Sequence, residues 1–223
     1  MGFGNQSQGS RVTYVNIVGG KLSIRAQEGD EGAVSRTNKN DVTVWEKHYP
    51  NLTGALISVE CKLNEKLKAN EYVLTIDDVG TTYKLSIPCD SNYGDSFIVR
   101  LPNLKLNQIY TFTPFDFEDK VKKNKKGEPM KIIGVSIKQG DDKIQPFYTK
   151  EEPKDRPVGE DNMDADDYKV YQIKLRKFYR GLVDKFTAAN DKNFAGYEQK
   201  EAPKSKPSQQ ISQMVDGADE VPF

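Results

Sequence analysis

The sequence predicts a mainly β domain followed by one long helix. Between Thr53 and Cys89, apolar residues recur at every second position through three consecutive runs, the period of strands with one buried face. Between Asp164 and Asn190, Tyr171, Leu175, Phe178, Leu182 and Phe186 recur at three- and four-residue spacing, the period of an amphipathic helix. The two ends differ from both. Residues 1–10 are Gly, Ser, Gln and Asn around a lone Phe3, and residues 191–213 are polar with Pro203 and Pro207. Neither stretch carries enough apolar surface for a core, so both are expected to be flexible.

The first elements are short. Arg11 to Val18 and Lys21 to Ala26 read as strands joined at Gly19-Gly20, a hairpin signal. Gln27 to Asp41 is polar, holds Gly29 and Gly32, and reads as a loop; Val42 to Tyr49 is a further strand stopped by Pro50. From Thr53 a long strand begins, with Ala55, Ile57, Val59, Cys61 and Leu63 facing one way and Leu56, Ser58, Glu60 and Lys62 the other. Glu65 to Asn70 is a turn. Tyr72, Leu74 and Ile76 define the next strand, Asp78-Val79-Gly80 the next turn, and Tyr83, Leu85, Ile87 and Cys89 the third strand; Tyr72 and Tyr83 are expected in the core. Asp90 to Asn107 lacks a clean period and reads as a crossing segment with room for a helical turn. Gln108 to Glu118 is an aromatic-rich strand, Lys120 to Pro129 a basic turn, and Met130 to Lys138 the last strand. Residues 151–163 carry Pro153, Pro157 and many acids, and read as a linker. The helix over 164–190 opens on Asp164, Asp166 and Asp167, where its dipole favours anions.

A long strand, two meander partners, a crossing segment and a final hairpin is the element order of an OB-fold. The expected architecture over residues 11–150 is therefore an OB-like five-stranded barrel with extra N-terminal strands, and such barrels bind oligonucleotides or oligosaccharides. In this frame Lys120, Lys122, Lys123, Lys125 and Lys126 fall in one loop that clamps nucleic acid, and Lys66 and Lys68 in the other. Lysines there would neutralise phosphates without reading sequence. Trp45, Lys47 and Tyr49 share one side of their strand by period two, an aromatic-basic-aromatic stripe suited to stacked bases. The same stripe also fits a core anchor at Trp45, with Val42, Val44, Glu46 and His48 opposite. Phe115 and Phe117 crowd the fourth barrel strand beside Tyr110 and Phe112, and Pro114 is expected to mark a bulge or edge where the strand changes face. Lys84 lies on the outward side of the third strand and joins the candidate DNA contacts.

The last ten residues are Met-Val-Asp-Gly-Ala-Asp-Glu-Val-Pro-Phe. Asp216, Asp219 and Glu220 form an acidic run without a basic residue, closed by Val221, Pro222 and Phe223. A terminal aromatic behind carboxylates suits an apolar pocket with a basic rim. This tip resembles that of bacterial single-stranded-DNA-binding proteins, which close on aspartates followed by Ile-Pro-Phe, and of phage proteins with an acidic tail and a final aromatic. Ala218 and Glu220 depart from the all-aspartate run. The resemblance implies binding of single-stranded DNA and recruitment of replication, recombination and repair proteins through the tip. The barrel and the long N-terminal extension differ from the cellular family, which favours a divergent phage type.

Other chemistry is poorly served. His48 is the single histidine, and no Walker-type Gly-x-x-x-x-Gly-Lys occurs, so neither catalysis nor a cofactor is expected. Asp77-Asp78 could serve a metal-dependent nuclease, but the pair sits in ordinary turn chemistry. Cys61 and Cys89 lack Cys-x-x-Cys spacing and fit free thiols of a reducing compartment, with a single disulfide as the alternative. No apolar run nears the ~20 residues of a membrane span, and the start is neither a signal peptide nor a myristoylation site, since Gln6 stands where Ser or Thr is needed. The expected location is the cytoplasm of a bacterium. The functional expectation is sequence-independent binding of single-stranded DNA, against an adaptor or annealing protein with weak DNA binding, a nuclease, or a phage structural protein.

Overall fold

The computed structural model describes residues 12–37, 41–123, 127–160 and 162–194. The fold is mainly β, with one open sheet and a C-terminal helix. The strands are β1 (Val12–Val18), β2 (Lys21–Ala26), β3 (Val34–Thr37), β4 (Thr43–Tyr49), β5 (Leu52–Asn64), β6 (Ala69–Asp78), β7 (Thr81–Pro88), β8 (Ile109–Lys123), β9 (Pro129–Gln139) and β10 (Asp142–Lys143). Helix α1 (Asn92–Ile98) and a 3-10 turn (Leu101–Asn103) lie between β7 and β8, and α2 (Ala165–Phe194) follows β10. The sheet runs β10-β9-β8-β5-β6-β7-β1-β2-β4-β3. The expected five-stranded closure is not formed. β7 takes β1 as a parallel neighbour, Val15 opposite Leu85, and β9 takes β10.

Long strand β5 divides between two partners. Its start pairs with β8, Leu52 opposite Phe112, while Asn64 still faces Ala69 of β6. The register slips between Leu56 and Ser58. A bulge inserts one residue and inverts the facing that follows. The inward residues are therefore Leu56 and then Val59, both essentially inaccessible, whereas Ile57 turns outward. This corrects the unbroken alternation expected of Ala55, Ile57 and Val59. A close approach explains Gly54, where a Cβ would lie 2.7 Å from the Asp77 carbonyl oxygen.

One core unites the β5–β9 strands and both helices. Leu56, Leu74, Ile76, Leu85, Ile87, Phe112, Val135 and Ile137 line it, with Phe97, Ile98 and Leu101 inserted from the crossing segment. α1 begins at Ser91, whose hydroxyl caps the Gly94 N–H at 3.1 Å. Ser96 Oγ accepts the Val135 N–H and donates to the Val135 carbonyl, docking α1 on β9. In β8, Tyr110, Phe112 and Pro114 face inward by plain alternation, and register is continuous from Thr111 to Asp119. The bulge expected at Pro114 does not occur. Beyond Phe112 no β5 residue pairs with β8, so one edge there is open and the missing proline N–H leaves no gap in that ladder. The irregularity falls instead between Asp119 and Lys123.

Asp164 caps α2, its Oδ1 accepting the Asp166 and Asp167 N–H groups at 2.8 Å. Leu175, Tyr179, Leu182, Val183 and Phe186 are buried, as the helical period requires. Thr187 donates to the Val59 carbonyl, and Arg176 pairs with Asp90 at 2.9 Å, so the helix lies on the β5 and β7 ends of the sheet. The acidic stretch read as a linker contacts this helix: a Cβ on Gly159 would sit 3.3 Å from the Tyr171 ring. No described helix is long and apolar enough to cross a membrane.

Candidate nucleic-acid interface

The β4 stripe is formed as the period predicts. Trp45 and Lys47 are half-buried and Tyr49 is exposed. Their cross-strand partners on β2 are Ala26, Ile24 and Leu22. Opposed residues of an antiparallel pair share a face, so the stripe lies on the same face as Val15 and Leu22. At its Tyr49 end a cleft of about 340 Å³ opens, lined by Tyr49, Ile24, Tyr83, Asn51, Thr53 and Asp78. The floor is apolar and the rim polar, a shape that accepts a flat ring. Tyr83, expected in the core, is only half-buried and borders this cleft.

Phe115 and Phe117 form a second aromatic surface. Their ring centroids are 5.7 Å apart, and Phe117 is 52% exposed. Phe115 is half-buried because Gly134 opposite it leaves room: a Cβ there would lie 2.8 Å from Phe115 Cζ. The β1–β2 turn ties this surface to the stripe. Gly20, at φ +74°, packs on the β8 backbone between the two phenylalanines, where a Cβ would come 2.6 Å from the Asp116 nitrogen. Its N–H donates to the Tyr93 hydroxyl at 2.9 Å. Two residues later Leu22 faces Tyr49. The turn thus lies between two separate aromatic surfaces: Tyr49 shares the core-side face of Leu22, whereas Phe115 and Phe117 alternate with the inward Phe112 and Pro114 and leave β8 on its other side.

The lysines are more dispersed. Lys66 and Lys68 are exposed in the β5–β6 turn, which Asn64 organises by accepting the Lys66 and Leu67 N–H groups. That turn caps the end of β5 away from β8, so it lies remote from the aromatic group. The basic run is not a turn throughout, since β8 extends to Lys123, which is exposed. Lys120 and Lys122 are described in backbone only, and Lys125 and Lys126 lie outside the described residues. So do Asp216, Asp219, Glu220, Val221, Pro222 and Phe223, and the arm at 1–10. Lys84 is half-buried opposite Tyr14 of β1, on the sheet face away from the Trp45 stripe.

That outer face holds residues the periodicity did not single out. Tyr14 is 65% exposed beside Lys84. Further along it, Glu46 is buried and gathers basic side chains. Arg36 Nε and Nη2 donate to its two oxygens at 2.8 and 2.7 Å, His48 Nε2 lies 3.5 Å away and Arg25 4.0 Å. The hydrogen bonds from Arg36, outweighing the effect of burial, hold the Glu46 carboxyl below its usual range. The pairing of Arg36 with Glu46 depends on β3, a strand within the region expected to be a loop. Asp77 and Asp78 sit at the β6–β7 turn, and no group of three or more His, Cys, Asp or Glu able to hold a metal occurs among the described residues.

No protein-family model, curated protein or solved structure matches the chain.

Proposed function

We propose that the protein binds single-stranded DNA without sequence preference and presents its acidic C-terminal tip to replication or recombination proteins. The observation that carries the reading is the two solvent-facing aromatic surfaces that flank the β1–β2 turn, Tyr49 on one face of the sheet and Phe115 with Phe117 on the other. Tyr49 and Phe117 are each about half open to solvent, with Lys47 in the same stripe as Tyr49. Exposed rings on a sheet gain little from water, whereas every base offers a face for stacking, worth ~1–3 kcal/mol per base. The basic β8–β9 hairpin extends the same β8 strand and would hold phosphates. The central order β9-β8-β5-β6-β7, with a helix between β7 and β8, supports an OB-type reading of this half. In that reading the parallel β1–β7 pair occupies the edge that would otherwise close the barrel.

The test is fluorescence polarisation of labelled oligo-dT with the full-length protein at low and high salt. Expected is binding that weakens steeply with salt and competes poorly with duplex. Deleting residues 214–223 should tighten binding, because the tip is a short polyanion competing for the same lysines. Absence of binding at low salt, with and without the tip, would refute the proposal. An adaptor role is then the stronger reading, favoured by the exposed Val170 and Ile173 on α2.

A further inference from the structure

Cys61 and Cys89 are separated by 28 residues and a whole strand, yet their sulfurs lie 3.9 Å apart. Both are half-buried and both line a cavity of about 450 Å³ beneath α2. Three cations of α2, Arg176, Lys177 and Arg180, contribute to its wall. So does Tyr179, whose hydroxyl is buried near Asp95 and Arg156 without a hydrogen bond of ordinary geometry to any described residue. The volume suits a small-molecule site.

The two thiols are not joined to each other. Cys61 of β5 is opposite Tyr72 of β6, and Cys89 continues the β7 ladder by donating its N–H to Asn70 of β6. β6 lies between their strands, and at 3.9 Å the sulfurs are well beyond the ~2.05 Å of a disulfide bond. Both are free thiols. The sulfurs meet only because both side chains reach toward each other over Tyr72.

We propose that Cys61 is a site of reversible S-thiolation by an anionic low-molecular-weight disulfide, with Cys89 and Arg180 activating it and the α2 cations holding the incoming carboxylates. The Cys61 thiolate attacks one sulfur of the disulfide. A new sulfur–sulfur bond forms to Cys61, the original one breaks, and the second half departs as a thiolate that takes a proton from water. Excess thiol reverses the exchange, so in a reducing compartment the adduct is transient. The groups facing the pair are Tyr72 from β6, Asp90 after β7, and Arg180 and Asp184 from α2. Cys89 as a hydrogen-bond donor, followed by Arg180, lowers the Cys61 thiol, and the same sharing with burial pushes Cys89 up. Cys61 is the thiol beside the Arg180 guanidinium and Cys89 the one beside Asp90, so the surrounding charges favour the thiolate on Cys61.

The experiment treats full-length native protein with oxidised glutathione or with the uncharged 2-hydroxyethyl disulfide, followed by intact mass and peptide mapping. Expected is a single adduct, on Cys61, removed by dithiothreitol. It should form at pH 7 at a rate within a few-fold of that at pH 8.5. Arg180→Met should slow the glutathione reaction several-fold more than the uncharged one, and Cys89→Ala should slow both at pH 7. An adduct on Cys89, equal labelling of both cysteines, no adduct on native protein, or loss of two hydrogens as an internal disulfide would each overturn the proposal. The mapping on unaltered protein stands even if a variant fails to fold.

Discussion

The two halves of the sheet are built on different terms. In the β5–β9 half, strand after strand contributes side chains with no accessible surface, and α1 and α2 close the inward face. In the β1–β4 half the buried residues thin to Val15, Leu22 and Val44, and two of the most buried side chains, Ser23 and Glu46, are polar. The closest helix contacts belong to the other half, α1 with β7 and β9 and α2 with β5. One half is held by packing and the other by ladders, ion pairs and a turn set against β8. The less enclosed half leaves Tyr14 and Tyr49 in solvent, where a ligand can reach them.

The largest expected effect tests the packed half. Phe97 is fully buried, 5.6 Å from the Tyr72 ring. Phe97→Ala should destabilise by ~3–5 kcal/mol through lost transfer energy and a cavity, read as a lower urea midpoint. Oligo-dT binding by the fraction still folded should change little. Gly20→Ala attacks the joint between the halves. The left-handed backbone and the Asp116 contact should together cost roughly 1–3 kcal/mol, with a matching loss of DNA affinity as Tyr49 and Phe117 lose their common support.

Glu46→Gln tests the ionic half and should cost about 1–3 kcal/mol at pH 7, since the Arg36 bonds lose their charge. The pH dependence follows from a lowered carboxyl. A group depressed in the folded state contributes stability above its unfolded pKa, ~4.3 for Glu, and that contribution is lost as pH falls through the folded value. The unaltered protein should therefore lose stability below about pH 4.3 in a step that Glu46→Gln lacks. Parallel melts of both proteins that keep a constant gap down to pH 3 would remove Glu46 from the account.

Tyr49→Ala and Phe117→Ala should leave the melting midpoint nearly unchanged while each weakens oligo-dT by ~1–3 kcal/mol. Unchanged affinity in both would move the candidate interface to the β1–β7 junction, where Tyr14→Ala is the next measurement. Lys123→Ala is the smallest change. It should lower affinity uniformly across sequences and reduce the salt slope by about one.

Local physics was legible in the residues. The spacing of Tyr72, Leu74 and Ile76 identifies β6, and Asp164 with the apolar stripe from Tyr171 to Phe186 identifies α2, because strand and helix periods are written in neighbours two to four positions apart. Gly19-Gly20 marks its turn for the same reason. The stripe Trp45, Lys47, Tyr49 was also legible, since a seven-residue strand preserves its own alternation. β3 was missed because Val34–Thr37 is exposed throughout and shows no buried period.

Choices between distant partners were settled only by the tertiary structure. The parallel pairing of β1 with β7, the β5–β6 register shift that turns Val59 inward, the packing of Gly20 on Asp116, and the approach of Cys61 to Cys89 all join residues far apart in the chain. A strand's pattern states which side is apolar but not which strand lies beside it, since backbone hydrogen bonds are the same for every candidate neighbour. Register and sheet order are decided by the total packing of the core, and that sum exists only once the chain is folded.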